Sequence, residues 1–85
     1  MRVSYEQRTG SFYLYLSENG ENHVVAKTYP CDPREVGGLV NLDMDRDGRL
    51  IGIEILGGAS LLRSSVVESL LKPKGVIEIE SKVDR

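Results

Sequence analysis

The chain's 85 residues are enough for one domain with a small core, near the size at which self-association or another staple often adds stability. Eleven Lys and Arg against thirteen Asp and Glu give a formal net charge of −2, and no basic patch stands out, which argues against a nucleic-acid backbone as partner. A single cysteine, Cys31, excludes an intrachain disulfide, and with neither a basic leader nor a long apolar stretch the expectation is a soluble, cytoplasmic protein with no membrane partner.

Val3 and Tyr5 alternate with polar neighbours and predict a first strand, which Glu6-Gln7-Arg8-Thr9-Gly10 interrupts as a turn. Ser11 to Leu16 predicts a second strand. Its Phe12, Leu14 and Leu16 belong in the core, while Tyr13 and Tyr15 form an amphipathic stripe on the other face. Those two tyrosines either cover the rim of a small sheet or present an association surface. Ser17 to Asn22 is a polar loop containing the turn dipeptide Asn19-Gly20, and it predicts a hairpin with a returning strand from about His23 to Tyr29. His23 is the only histidine. It has no cysteine or carboxylate at ligand spacing and no serine in an elbow motif, so it marks neither a metal centre nor a hydrolase.

Tyr29-Pro30-Cys31-Asp32-Pro33 punctuates the chain, and the segment to Gly38 reads as a loop or at most a short helical turn beginning at Pro33. Asp32 beside Cys31 disfavours a reactive thiol, so Cys31 reads as structural or incidental rather than as a nucleophile. Gly37-Gly38 leads into a strand, so it lacks the helix N-terminus that a phosphate-binding loop uses.

Leu39 to Leu56 organises the rest of the chain as a β-hairpin. With Asp47-Gly48 at the centre of a two-residue turn, Met44 faces Ile51, Leu42 faces Ile53 and Val40 faces Ile55. Asn41, Asp43 and Asp45 then share the other face with Gly52 and Glu54. A one-residue slip would set the isoleucines opposite the polar residues. Asp43, Asp45, Asp47, Gly48 and Glu54 also match positions 1, 3, 5, 6 and 12 of the EF-hand calcium loop, with Leu50 at position 8. That loop requires flanking helices, however, and strands flank this one. In the hairpin Glu54 lies opposite Asn41, far from Asp47, so an acidic turn is the reading and Asp43, Asp45, Asp47 and Glu54 are only weak metal candidates.

Gly57-Gly58 ends the hairpin. Ala59 to Lys72 predicts one helix with Leu62, Val66 and Leu70 spaced by four and Val67 and Leu71 beside them. Ser60 is one candidate N-cap, and Ser65 with Glu68 forms a capping box that would mark a later start. Pro73 and Gly75 stop the helix, and its apolar stripe is expected on the Ile51, Ile53 and Ile55 face of the sheet. Val76 to Glu80 alternates as a candidate last edge strand, and residues 81–85 read as a frayed polar tail to a single domain over residues 1–80.

Val3, Tyr5, the Phe12-Tyr13-Leu14-Tyr15-Leu16 strand and above all the run from Val40 to Leu56, with its aspartate-rich turn followed by Gly52-Ile53-Glu54-Ile55, resemble the small prokaryotic family known as domain of unknown function 2283. The resemblance covers roughly Arg2 to Ser60. It departs at Gly10-Ser11, where the family usually carries an acidic residue, and in a longer loop from Tyr29 to Gly38. It implies a compact antiparallel sheet with a following helix and no assigned activity.

The expected fold is therefore α+β: an antiparallel sheet of about five strands with one C-terminal helix packed on one face. No nucleophile with its base, no acid–base pair and no cofactor motif emerges, so an enzyme is not expected. Two functions stay open. One is a protein-interaction or self-association module, a homodimer or a complex with another protein, acting through Tyr13 and Tyr15. The other is a divalent-cation or small-ligand binding domain built on the acidic hairpin from Asp43 to Glu54.

Overall fold

The computed structural model describes residues 2–16, 24–71 and 78–82. Among the described residues, six strands and three short helices follow one another as β1 (Arg2–Glu6), β2 (Ser11–Tyr15), β3 (Lys27–Pro30), α1 (Pro33–Val36), β4 (Leu39–Met44), β5 (Leu50–Leu56), α2 (Gly58–Leu61), α3 (Ser64–Leu71) and β6 (Glu78–Lys82). They form one sheet in the order β3-β4-β5-β2-β1-β6. The first five strands pair antiparallel, giving the expected α+β fold, and β6 adds to the β1 edge in parallel. β6 includes Ser81 and Lys82, the first two residues of the segment read as a polar tail; Val76 and Ile77, read into the same strand, lie outside the described residues. No helix among the described residues is long and apolar enough to cross a membrane.

Strand alternation divides the residues between two faces. On one, Val3 pairs with Leu14, Tyr5 with Phe12, Phe12 with Ile55 and Leu14 with Ile53. Val3 and Phe12 are fully buried there and Ile55 nearly so, with Tyr5, Leu14, Ile53, Leu61, Leu62, Val67 and Leu70 packed around them. The Tyr5 and Phe12 rings meet with centroids 4.8 Å apart and tilted by 37°, an arrangement that aromatic quadrupoles favour over a flat sandwich.

The predicted hairpin between the second and third strands does not form. β3 pairs with β4, through Lys27–Met44 and Tyr29–Leu42, because both edges of β2 are taken by β1 and β5, whose apolar partners complete the core. Pro30 lacks a backbone N–H and suits β3 to the sheet edge it occupies. The Asn19-Gly20 turn and His23 lie outside the described residues. Between β3 and β4, α1 begins at Pro33 as the sequence suggests. The Asp32 carboxylate accepts the Arg34 backbone N–H at 2.9 Å and meets its guanidinium at 3.0 Å, which holds Asp32 below the usual carboxylate range.

The central hairpin keeps its predicted register away from the turn, with Val40 opposite Ile55, Asn41 opposite Glu54 and Leu42 opposite Ile53, but Met44 faces Leu50 instead of Ile51. The turn is the cause. Asp45 donates its N–H to the Arg49 carbonyl at 2.9 Å, and its carboxylate accepts the N–H groups of Asp47 and Arg49, leaving Arg46, Asp47 and Gly48 as a three-residue loop with Gly48 at φ +79°. This shifts the pairing by one residue, and a bulge at Ile51 shifts it back.

The predicted continuous helix is also broken. Leu62 is extended at φ −94° and ψ 153°, and α3 starts afresh at Ser64. In an unbroken helix Leu61 and Leu62 would diverge by about 100°; the break lets both reach the core alongside Val67 and Leu70. Val66 and Leu71, assigned to the inner stripe by periodicity, are instead exposed.

With so few fully buried apolar residues, Phe12→Ala is expected to cost about 3–5 kcal/mol, a large share of the ~5–15 kcal/mol typical of a domain. Val66→Ala should change stability by less than about 1 kcal/mol. Urea denaturation followed by circular dichroism measures both.

Candidate functional site

The face opposite α2 and α3 carries the polar members of each alternating strand. Its centre is Asp43, a carboxylate with only 9% of its surface exposed. A carboxylate removed from water needs donors, and two reach it: Tyr13 donates its hydroxyl to Oδ2 and Thr28 donates its hydroxyl to Oδ1, both at 2.5 Å. Thr28 is its pairing partner across the β3–β4 ladder. Tyr13 comes from β2, on the far side of β5, and crosses β5 at Gly52, the residue paired with Asp43. A Cβ on Gly52 would collide with the Tyr13 ring and its oxygen, so only glycine leaves room for the phenol to pass.

Burial raises the Tyr13 pKa above its ordinary value of 10.0, and the hydrogen bond to Asp43 and the negative charge behind it raise it further. The phenol is therefore held neutral as a hydrogen-bond donor, which is the wrong state for a general base near neutral pH.

Beside this tie, Asn41 donates its amide to Glu54 at 2.9 Å across the β4–β5 ladder. The Tyr13 and Tyr15 rings sit 4.8 Å apart, tilted by 53°, and the Arg2 guanidinium lies 4.0 Å from the Tyr15 ring centroid. A shallow depression of about 200 Å³ opens where β1, β2 and β5 meet, lined by Ser4, Glu6, Ser11, Tyr13, Tyr15 and Glu54 together with Phe12.

Tyr13 and Tyr15 thus share the open face with Asp43 and Glu54, as alternation predicts. The four acidic metal candidates do not converge. Asp43 accepts from Tyr13 and Thr28, Asp45 caps the turn from within, Asp47 is exposed in the turn, and Glu54 pairs with Asn41. Among the described residues no group of three or more His, Cys, Asp or Glu is placed to hold a metal ion. Sequence reasoning missed Thr28, Ser4 and Glu6 as members of the face, and it left the role of Gly52 unassigned. A glycine between isoleucines in mid-strand is the signal that would have pointed to a close approach.

Tyr13→Phe leaves Asp43 with one donor and is expected to cost about 1–3 kcal/mol. Gly52→Ala should cost at least as much by evicting the same ring. The pH sign follows from the raised pKa: the contribution of Tyr13 is fully present below its unfolded value of 10.0 and is lost as pH rises through its higher folded value. Alkaline denaturation of wild type should therefore be steeper above about pH 10 than that of Tyr13→Phe. Calorimetric titration with calcium up to about millimolar should release no binding heat, since the EF-hand ligand positions are spread over strand, turn and ladder.

No curated protein and no solved structure matches the chain significantly. The profile of one family, described as protein of unknown function (DUF2283), matches residues 2–57, the segment that holds β1 to β5 and every residue of the open-face network. The chain belongs to that family.

Proposed function

We propose that the protein is a non-catalytic interaction module whose working surface is the open face of the sheet, with a second copy of the same chain as its first candidate partner. The observation that carries this reading is the internal satisfaction of Asp43 at the centre of that face. Both of its oxygens are met by hydroxyl donors, and Asn41 donates to one oxygen of Glu54 beside it, so a partner can displace water from the centre without stranding the buried carboxylate. Apolar and aromatic area frames them. Leu39 and Leu56 are paired across β4 and β5 and exposed by 54% and 36%, and Tyr13 and Tyr15 lie on the same face. Tyrosines with fixed rings beside exposed leucines are the composition that association surfaces favour. The small core adds a motive, since burying this face against a partner would supply apolar contact that the isolated chain lacks.

Light scattering behind a sizing column, at low and high protein concentration, tests the reading. The expected result is a dimer that Leu39→Glu and Tyr15→Ser, singly or together, convert to monomer while circular dichroism stays that of a folded chain. A mass and binding behaviour that neither substitution alters would refute it.

A further inference from the structure

The five antiparallel strands end in two different edges. β3 is a blunted edge: four residues, every one exposed, running from Lys27 to Pro30, which has no N–H to offer another strand. β1 is an edge of another kind. Arg2-Val3-Ser4-Tyr5-Glu6 contains no proline, and its charges stand only at the two ends. Its centre is covered on both faces, with Val3 fully buried on one and Ser4 only 5% exposed on the other. A strand buried on both faces and unprotected along its ladder is one that takes a neighbour.

In this chain the neighbour is β6, which joins β1 in parallel and pairs with no other described strand. It comes from beyond the segment shared with the family, since the matched residues end at 57 and β6 begins at Glu78. The matched segment therefore stops at β1 on this side of the sheet, and β6 is added to it.

Register makes the addition selective. Arg2 stands opposite Glu78, Val3 opposite Ile79 and Glu6 opposite Lys82, so opposite charges are matched at both ends of the ladder and apolar residues between them. A slip of one residue in either direction would set Arg2 opposite an isoleucine and Val3 opposite a glutamate. The edge thus reads a short pattern: an acidic residue, an apolar one, two unread positions and a basic residue.

We propose that the β1 edge is a strand-docking site for an extended segment of a partner protein carrying that pattern, and that β6 is its built-in competitor. Main-chain ladder bonds supply the affinity of such docking, and Arg2, Val3 and Glu6 supply the choice of sequence. Being tethered to the same chain, β6 competes at an effective concentration on the order of millimolar. The site opens only to a segment that outbinds β6, or when β6 is drawn away. Docking here uses the β1 edge and leaves Leu39 on β4 and Leu56 on β5 untouched, so it is separate from association through those residues.

The test uses the full, isotope-labelled chain, with a synthetic peptide of residues 76–85 as the probe, titrated and followed by amide chemical shifts. The same peptide with Glu78→Lys and Lys82→Glu is the control for pattern. Two chain variants vacate the edge. Ile79→Pro cannot extend the ladder, and Glu78→Lys with Lys82→Glu keeps every backbone donor should the proline variant fail to fold. The expected result is saturable binding to the vacated chain, at least about tenfold tighter than to wild type, with shifts centred on Arg2 to Glu6. The charge-reversed peptide should bind about fivefold more weakly. Adding Arg2→Glu and Glu6→Lys to the Ile79→Pro chain should invert that preference.

Equal binding by wild type and the vacated chains would overturn the proposal, as would equal binding of the two peptides. So would the absence of binding to a vacated chain that circular dichroism shows to be folded. Unfolding of both variants would also overturn it, because β6 would then be part of the fold and not a competitor.

Discussion

Asp43 sits where a carboxylate is expensive to place, in the middle of a sheet with almost all of its surface removed from water. Its position is tenable because β2 and β3 each send a hydroxyl to it, and those two strands lie on opposite sides of the β4–β5 pair. One buried charge therefore ties four adjacent strands in order. Gly52 is the structural condition for that tie, since any side chain there would block the path of Tyr13. The tie also explains why the aspartates nearest the turn do not assemble a cation cage: the first is committed to the sheet, and the second is committed to its own backbone.

The two faces of the sheet solve different physical problems. The core face is small, with Val3, Phe12 and Ile55 at its centre, and it depends on a helical segment that breaks at Leu62 so that two consecutive leucines both point inward. No helix among the described residues covers the open face, and it is stabilised by hydrogen bonds between side chains on neighbouring and next-neighbouring strands. Such a network limits the number of ways the strands can be ordered, because each donor must find its acceptor, whereas apolar contacts tolerate more than one arrangement.

Membership of a family without an assigned activity leaves function to be argued from the site, as fold alone never decides it. At the centre of the open face, Tyr13 and Asp43 are held in a fixed hydrogen bond. Tyr13 is held as a neutral donor, and its acceptor already has both oxygens engaged. Among the described residues, the Leu39–Leu56 pair is exposed on the same face as the tyrosine rings. Recognition is a use for such a surface that requires no reacting group.

The alternation of Phe12, Leu14, Ile53 and Ile55 with Tyr13, Tyr15 and Glu54 was legible because side chains in a strand repeat every two residues, so the faces, the central register and the α+β class follow from local pattern. The cap at Asp32 was legible in part, since Pro33 marks a helix start. Contacts between residues distant in the chain were not. That β3 joins β4 rather than β2 depends on which strand edges are already occupied, and that Leu62 leaves the helix depends on the shape of the core it must fill. Tyr13 and Asp43 are thirty positions apart, and nothing in either neighbourhood names the other. Local periodicity was determined by the sequence alone; strand order and the buried Asp43 tie were decided only when the folded chain brought distant polar groups out of water together, where Asp43 had to find its donors.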